Sequence, residues 1–427
     1  MFTNSAGTLS ALAVVCIGAA AWAEPPPLPQ PGHGGQVVAL TLPEAIRLAI
    51  AHNPDFRSTD FDVRSAQGAV AQASVLPNPA LVIGTLGRGV KPFDAPVPTN
   101  FGLSWTIPIG GKISAATDAA QAGLAASKAT REASRQQLVL GVQTAFTAVL
   151  LDQAQLEFAQ QDAAGFHREL DLNELRYKDG KIAFGELLKL RIQAVSIDDA
   201  LRESKLALEG ARADLRHVIG EDVLAAGFTV QGELGGGREP ASLEPEALLA
   251  EALKRRPDYL ALLEQEKSAE RNLALQHRTP IPDIDVLVDY NRPGDADNGS
   301  YDVSLSIPIP LFDRNQGNVT QAEAAYEKSK LAEQSLRTQI RADLVKAIRE
   351  WQTASALLSA YAGGTVAAAK ESLEITQHAY ELGTGTLLDF LDAESSYRQI
   401  EGAYRAAMAR SSLAARNIQF ITGEVQP

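Results

Sequence analysis

The chain has 427 residues and a formal net charge of -13. Phosphate binding needs a basic surface, so this acid excess argues against a nucleic-acid partner and is compatible with cations as cargo. The only cysteine, Cys16, sits in an N-terminal apolar run, so a chain processed beyond that run carries neither disulfides nor thiolate metal sites.

Residues 1–23 have the pattern of a secretory signal, apolar from Leu9 to Ala20 and ending in Ala21-Trp22-Ala23, an A-x-A cleavage pattern. The signal departs from the rule in having no Lys or Arg ahead of the apolar run. Val14-Val15 before Cys16 matches poorly the small residues that lipoprotein cleavage needs, which argues against lipidation. Residues 24–39, with Pro25-Pro26-Pro27, Pro29 and Pro31, read as an extended Pro/Gly-rich leader. No later stretch is long and apolar enough for a transmembrane helix, so any entry into a membrane must use strands.

Leu42-Pro43-Glu44-Ala45 opens a helix, Asn53-Pro54 breaks it, and a second helix runs to about Val75 before Pro77-Asn78-Pro79. There the hydrophobic period changes to two. Ala80 to Thr85 and Phe101 to Ile109 predict two strands joined by the polar loop Gly87 to Pro98, with Phe101, Leu103, Trp105, Ile107 and Ile109 on one face. Gly110-Gly111 then opens a proline-free run to Tyr177, a helix of about 65 residues or ~100 Å. Recurrent charge (Arg131, Arg135, Asp152, Glu157) excludes a membrane span, and Leu138, Val142, Ala145 and Val149 have heptad spacing. A break at Asp179-Gly180 precedes another helix, from about Gly185 to His217.

After a linker at 220–242 the order repeats. Pro245-Glu246-Ala247 echoes Pro43-Glu44-Ala45, Arg256-Pro257-Asp258-Tyr259 echoes Asn53-Pro54-Asp55-Phe56, and Pro280-Ile281-Pro282 echoes Pro77-Asn78-Pro79. Val303 to Ile309 answers Leu103 to Ile109, and Tyr380-x-x-Gly383 answers Tyr177-x-x-Gly180. Landmarks kept in one order indicate an internal duplication. It divides the chain into a first repeat at 40–219 (hairpin about 80–109, helical hairpin about 111–217) and a second at 243–423 (hairpin about 283–309, helical hairpin about 315–421). A proline-free run from Leu311 almost to the C-terminus carries Ile340, Leu344, Ile348 and Trp351 at helical spacing.

In the second hairpin, Ile284, Val286, Val288 and Tyr290 share a face, as do Tyr301, Val303, Leu305, Ile307 and Ile309; Asp283, Asp285, Asp289 and Asp302 take the opposite faces. Such alternation is what a transmembrane barrel strand requires, with Phe101, Trp105, Tyr290 and Tyr301 available for an interfacial girdle. Four strands cannot close a barrel, because the smallest use about eight, so other copies would have to complete it. A soluble hairpin pair capping a helical bundle is the other reading of the same alternation.

These features together (the signal, the duplicated helix–hairpin–helix plan, Ile-Pro-Ile before Gly110-Gly111-Lys112, and the Arg176-Tyr177-x-x-Gly180 and Tyr380-x-x-Gly383 breaks) resemble TolC-like outer-membrane efflux proteins. The stretch Ile307-Pro-Ile-Pro-Leu-Phe-Asp313-Arg-Asn-Gln-Gly317 is most similar to the heavy-metal branch, serving cobalt–zinc–cadmium and copper efflux. The resemblance implies a mainly α fold with a small β part, and a homotrimer whose twelve-stranded outer-membrane β-barrel stands on a periplasmic α-helical barrel. It implies a passive exit duct in the outer membrane of a Gram-negative bacterium, working with a periplasmic adaptor and an inner-membrane resistance–nodulation–division (RND) pump. Divalent heavy-metal cations are the expected cargo. Organic-solute or multidrug efflux is the alternative, and a secreted coiled-coil scaffold without a channel is the second.

No enzyme constellation is present. His33, His52, His167, His217, His277 and His378 are scattered without an H-x-x-x-H pair, which gives no metal site, and no phosphate-binding glycine loop implies a cofactor. By resemblance, Tyr177, Gly180, Lys181, Tyr380, Gly383 and Thr384 frame the periplasmic tip that meets the adaptor; ordinary interhelical turns are the simpler reading of the same residues. Asp389 and Asp392 share a helix face at i, i+3 and would form carboxylate rings at a pore constriction, or else a solvated face or salt bridges to Arg398 or Lys189. Asp283, Asp285, Asp289 and Asp302 would line the barrel lumen with negative charge, or else sit on a solvated sheet.

Overall fold

A computed structural model describes residues 39–84, 100–220, 224, 228–235, 240, 243–291 and 299–424. The signal, the leader to residue 38, the loop at 87–98 and parts of the linker lie outside the described residues. The first pass along the chain gives β1 (Ala39–Thr41), α1 (Leu42–His52), α2 (Pro54–Ala73), β2 (Ala80–Gly84), β3 (Asn100–Ile107), α3 (Lys112–Lys178) and α4 (Phe184–Ile219). After β4 (Thr229–Gln231), the second pass gives α5 (Pro245–Arg255), α6 (Pro257–Arg278), β5 (Ile284–Asn291) and β6 (Ser300–Ser306). It ends in α7 (Gln316–Ala360), α8 (Val366–Glu381) and α9 (Leu387–Thr422). The helix–hairpin–helix order is thus used twice, and α4 and α9 are both 36 residues long.

Local chemistry sets the boundaries. Glu44 Oε2 accepts from the Thr41 amide (3.0 Å) and the Thr41 hydroxyl (2.7 Å), which fixes the start of α1 and holds the Glu44 carboxyl below its ordinary range. Asn53 caps α2 by accepting from the Phe56 amide at 2.8 Å, and its side-chain amide donates to the Val218 carbonyl at the end of α4. Pro54, Pro245 and Pro257 each occupy a first helical turn, where the missing N–H costs nothing.

The 67-residue α3 packs along α4, α6, α2 and α9. Val139, Val142, Phe146 and Val149 of α3 are buried together with Ile46, Leu215, Ile219 and Phe228 in one core. The heptad residues Leu138 and Ala145 are half-buried against that core, one position off its centre. A matching core in the second repeat holds Leu249, Ile340, Leu344, Ile348 and Ile418, with Trp351 packed on its edge. A third joins Phe166, Leu190, Ile197, Tyr380, Leu387 and Phe390.

The proline-free run after Leu311 is not one helix. A π-helical turn at Tyr361–Thr365 separates α7 from α8, with Gly364 at φ 119° and the Thr365 hydroxyl donating to the Ala360 carbonyl at 2.8 Å. The glycine pair Gly363-Gly364 permits this interruption, which α3 lacks. Of the two small sheets, one pairs β1 with β4 in parallel; the other is antiparallel in the order β2-β3-β5-β6.

Candidate functional site

Two places draw the functional residues together. The first is the four-stranded sheet. Its register sets Leu103 opposite Leu81 and Val288, Phe101 opposite Tyr290, Trp105 opposite Val286, and Val303 opposite Val288. Strand alternation therefore collects Leu81, Ile83, Phe101, Leu103, Trp105, Val286, Val288, Tyr290, Tyr301, Val303 and Leu305 on one face, much of it exposed (Tyr301 to 80%). Tyr290 and Tyr301 rest ring to ring at 5.0 Å, and Trp105 Nε1 donates to the Pro77 carbonyl at 2.8 Å. Among the described residues, β2 and β6 have one neighbouring strand each, so both outer edges present unpaired backbone groups.

The opposite face carries Gly102, Ser104, Thr106, Asp285, Asp289, Asp302, Ser304 and Ser306. Asp289 and Asp302 sit directly across from one another, and the Asn291 amide donates to both, at 3.0 and 2.6 Å, which offsets the like-charge pairing. Asp285 accepts from the Thr106 hydroxyl at 2.5 Å. Asp283, just outside β5, forms an ion pair with Lys112 at 2.8 Å, so the acidic face is charge-compensated where it meets the start of α3.

The second place is where α3 turns into α4 and α8 into α9. The two turns are built alike. Gly180 (φ 72°) donates to the Tyr177 carbonyl at 2.9 Å and Lys181 to Arg176 at 2.8 Å; Gly383 (φ 75°) donates to Tyr380 at 3.1 Å and Thr384 to Ala379 at 2.9 Å. This double bond pattern closes a helix with a left-handed residue, which glycine adopts without strain. Gly180, Lys181, Gly383 and Thr384 are exposed, and the Tyr177 ring lies 5.7 Å from that of Phe184.

Tyr380 is different: it is buried, stacks on Phe390, and donates from its hydroxyl to Asn173 Oδ1 at 2.9 Å. Burial pushes its phenol pKa up, so it remains a donor. Arg176 donates to the Glu381 carbonyl at 2.9 Å and lies over the Tyr380 ring. The two turns are thereby tied through α3 and α8. Asn173 and Glu381 carry no sequence signature of their own; only the packing reveals them.

Asp389 and Asp392 are exposed, and Asp389 belongs to the cap of α9. Its amide donates to Thr386 Oγ1 at 3.2 Å, and the Thr386 hydroxyl donates to Asp389 Oδ2 at 2.7 Å. Arg398 pairs instead with Glu394 (2.8 Å) and Asp162 (3.7 Å). Glu394 continues the buried stripe Leu387–Phe390, and a carboxylate in that stripe is the signal that marks it out in the sequence. Among the described residues no group of three His, Cys, Asp or Glu is arranged to hold a metal ion; His167 pairs with Asp198 at 2.9 Å.

The family model for outer membrane efflux proteins matches residues 45–221 and 248–424. The chain belongs to that family. It is 25% identical over 386 residues, 90% of each chain, to the cobalt-zinc-cadmium resistance protein CzcC of Cupriavidus metallidurans. A membrane protein of Pseudomonas aeruginosa shares the fold with a TM-score of 0.77 at 19% identity, covering 90% of this chain and 92% of that one. The channel CusC does so with a TM-score of 0.74 at 18% identity, over the same shares. This TolC-like efflux protein is therefore a passive channel component of the outer membrane, not an enzyme.

Proposed function

We propose that three copies of this efflux protein close a twelve-stranded barrel and form the exit duct for divalent heavy-metal cations in a tripartite system. In this reading a 1–23 signal is removed, and residues 40–219 and 243–423 are the two repeats of the duct. The observation that carries it is the amphipathic four-stranded sheet with both edges unpartnered. In lipid each unpaired backbone group costs several kcal/mol, so edges of this kind require closure by further copies. The apolar face then meets lipid, and the face bearing Asp285, Asp289 and Asp302 meets the lumen.

An acidic lumen raises the local concentration of hydrated cations without ligating them, which suits conduction, because a tight site would hold the ion. Energy comes from outside the chain. A periplasmic adaptor meeting the turns around Tyr177, Gly180, Lys181, Gly383 and Thr384, and an RND pump in the inner membrane, supply cargo and drive. Asp389 and Asp392 constrict the closed entrance.

The full-length relationship to a cobalt-zinc-cadmium resistance protein supports the choice of cargo. Deleting the gene from its host should sensitise growth to cobalt, zinc and cadmium salts and leave tolerance to dyes and antibiotics unchanged. Sensitisation to the organic compounds alone would overturn the metal reading in favour of organic-solute efflux. Mass determination in detergent should give a trimer, and a monomer would remove the shared barrel.

A further inference from the structure

A group of largely buried ionisable side chains lies in the seam between α9 and α3, away from the sheet. Glu394 on α9 is only 5% exposed. Its Oε2 accepts from Arg398 at 2.8 Å and from Gln193 of α4 at 3.5 Å, while its buried Oε1 meets no donor. Arg398 also faces Asp162 of α3 at 3.7 Å. Two carboxylates thus share one guanidinium, beside a cavity of about 590 Å³ that Phe158, Phe166, Phe390 and Tyr397 help to line.

The other charged groups around the cavity are engaged elsewhere. From α3, Arg168 donates to the Ala164 carbonyl, and Glu169 accepts from Gln377 of α8 through Oε1 at 2.8 Å while its buried Oε2 meets no donor. On α9, Arg405 pairs with Glu401 at 2.9 Å and donates to the Ala154 carbonyl, and Glu374 of α8 and Glu401 bear on Tyr397 rather than on Glu394. With all three groups ionised, the Asp162–Arg398–Glu394 set carries one negative charge in excess of its guanidinium, and the nearly inaccessible Glu394 carboxylate is the one least solvated, which is unfavourable.

We propose that Asp162, Arg398 and Glu394 form a proton-binding site that takes up one proton per chain near neutral pH and thereby sets how firmly α9 packs on α3 and α4. Burial pushes the Glu394 carboxyl up to about 7 and raises Asp162 as well, in accord with the geometry. A raised carboxyl in the folded chain means that folding takes up a proton between the ordinary glutamate value and about 7. The packed seam is accordingly strongest in acid and loosens as pH rises through that window. The inference concerns the chain alone and does not depend on the cargo.

The test is an infrared titration of the full-length protein in detergent between about pH 5 and about pH 8.5, following the carbonyl stretch of protonated carboxyls, with thermal unfolding over the same range. The expected result is a band lost near neutral pH that is missing in Glu394→Gln, whose unfolding midpoint no longer falls across that window. Asp162→Asn should move the titration to lower pH, by removing the like charge, and Arg398→Gln should move it higher. A wild-type difference spectrum without a carboxyl titrating near neutrality overturns the proposal. So does an Asp162→Asn variant that titrates where the wild type does.

Discussion

Replacing Tyr380 with Phe isolates one contact between α3 and α8. The ring that stacks on Phe390 at 5.8 Å remains, as does the surface beneath Arg176, so only the hydroxyl is lost. That hydroxyl is the donor to Asn173 Oδ1, and Asn173 is 0% exposed, so no water replaces it. The Asn173 amide still donates to the Glu169 carbonyl at 2.8 Å, which holds the side chain in place. The cost is therefore that of a buried acceptor left unmade, about 1–3 kcal/mol. Expressed as local opening of the α8–α9 turn, this accelerates amide hydrogen exchange at Leu382, Gly383 and Thr384 by roughly 5- to 150-fold. Exchange should be measured on the full chain in detergent for Tyr380→Phe, Asn173→Ala and the double variant. The two single effects should overlap, leaving a coupling energy of about 1 kcal/mol or more. Strictly additive effects, or exchange equal to that of the wild type, would refute the view that this hydrogen bond ties the two turns.

Three further outcomes are expected. Replacing Asp389 and Asp392 together with Ala should raise passive conductance in planar bilayers; unchanged conductance and unchanged cation selectivity would remove both from the entrance. Gly110→Ala should impair assembly, because φ is +70° and a Cβ would come within 2.6 Å of Ile281; the readout is a lower yield in the outer-membrane fraction. Asp283→Asn leaves Lys112 without its partner and should shift ion selectivity away from cations, read as a changed reversal potential under a salt gradient.

Much of this architecture was legible because it rests on periodicity. A period of two in Phe101–Ile107 and Ile284–Tyr290 forces alternate side chains to opposite faces, and the register keeps every pair on the expected side. Proline pairs and Y-x-x-G marked the helix ends because each acts through its own backbone dihedrals. Two features escaped. The proline-free run from Leu311 hid the π-helical turn at Gly363-Gly364, since proline is not the only residue that interrupts a helix. The Asp162–Arg398–Glu394 set escaped because Asp162 lies far along the chain from Glu394 and Arg398 and meets them only where α9 crosses α3.

By itself the sequence determined the duplicated plan, the two faces of each strand and the positions of the glycine turns, all of which follow from local conformational preference. Only the tertiary structure decided which distant polar groups pair: Asp283 with Lys112, Arg398 with Asp162, and Tyr380 with Asn173. Pairing depends on distances across helices and strands, and those are set by packing rather than by spacing along the chain.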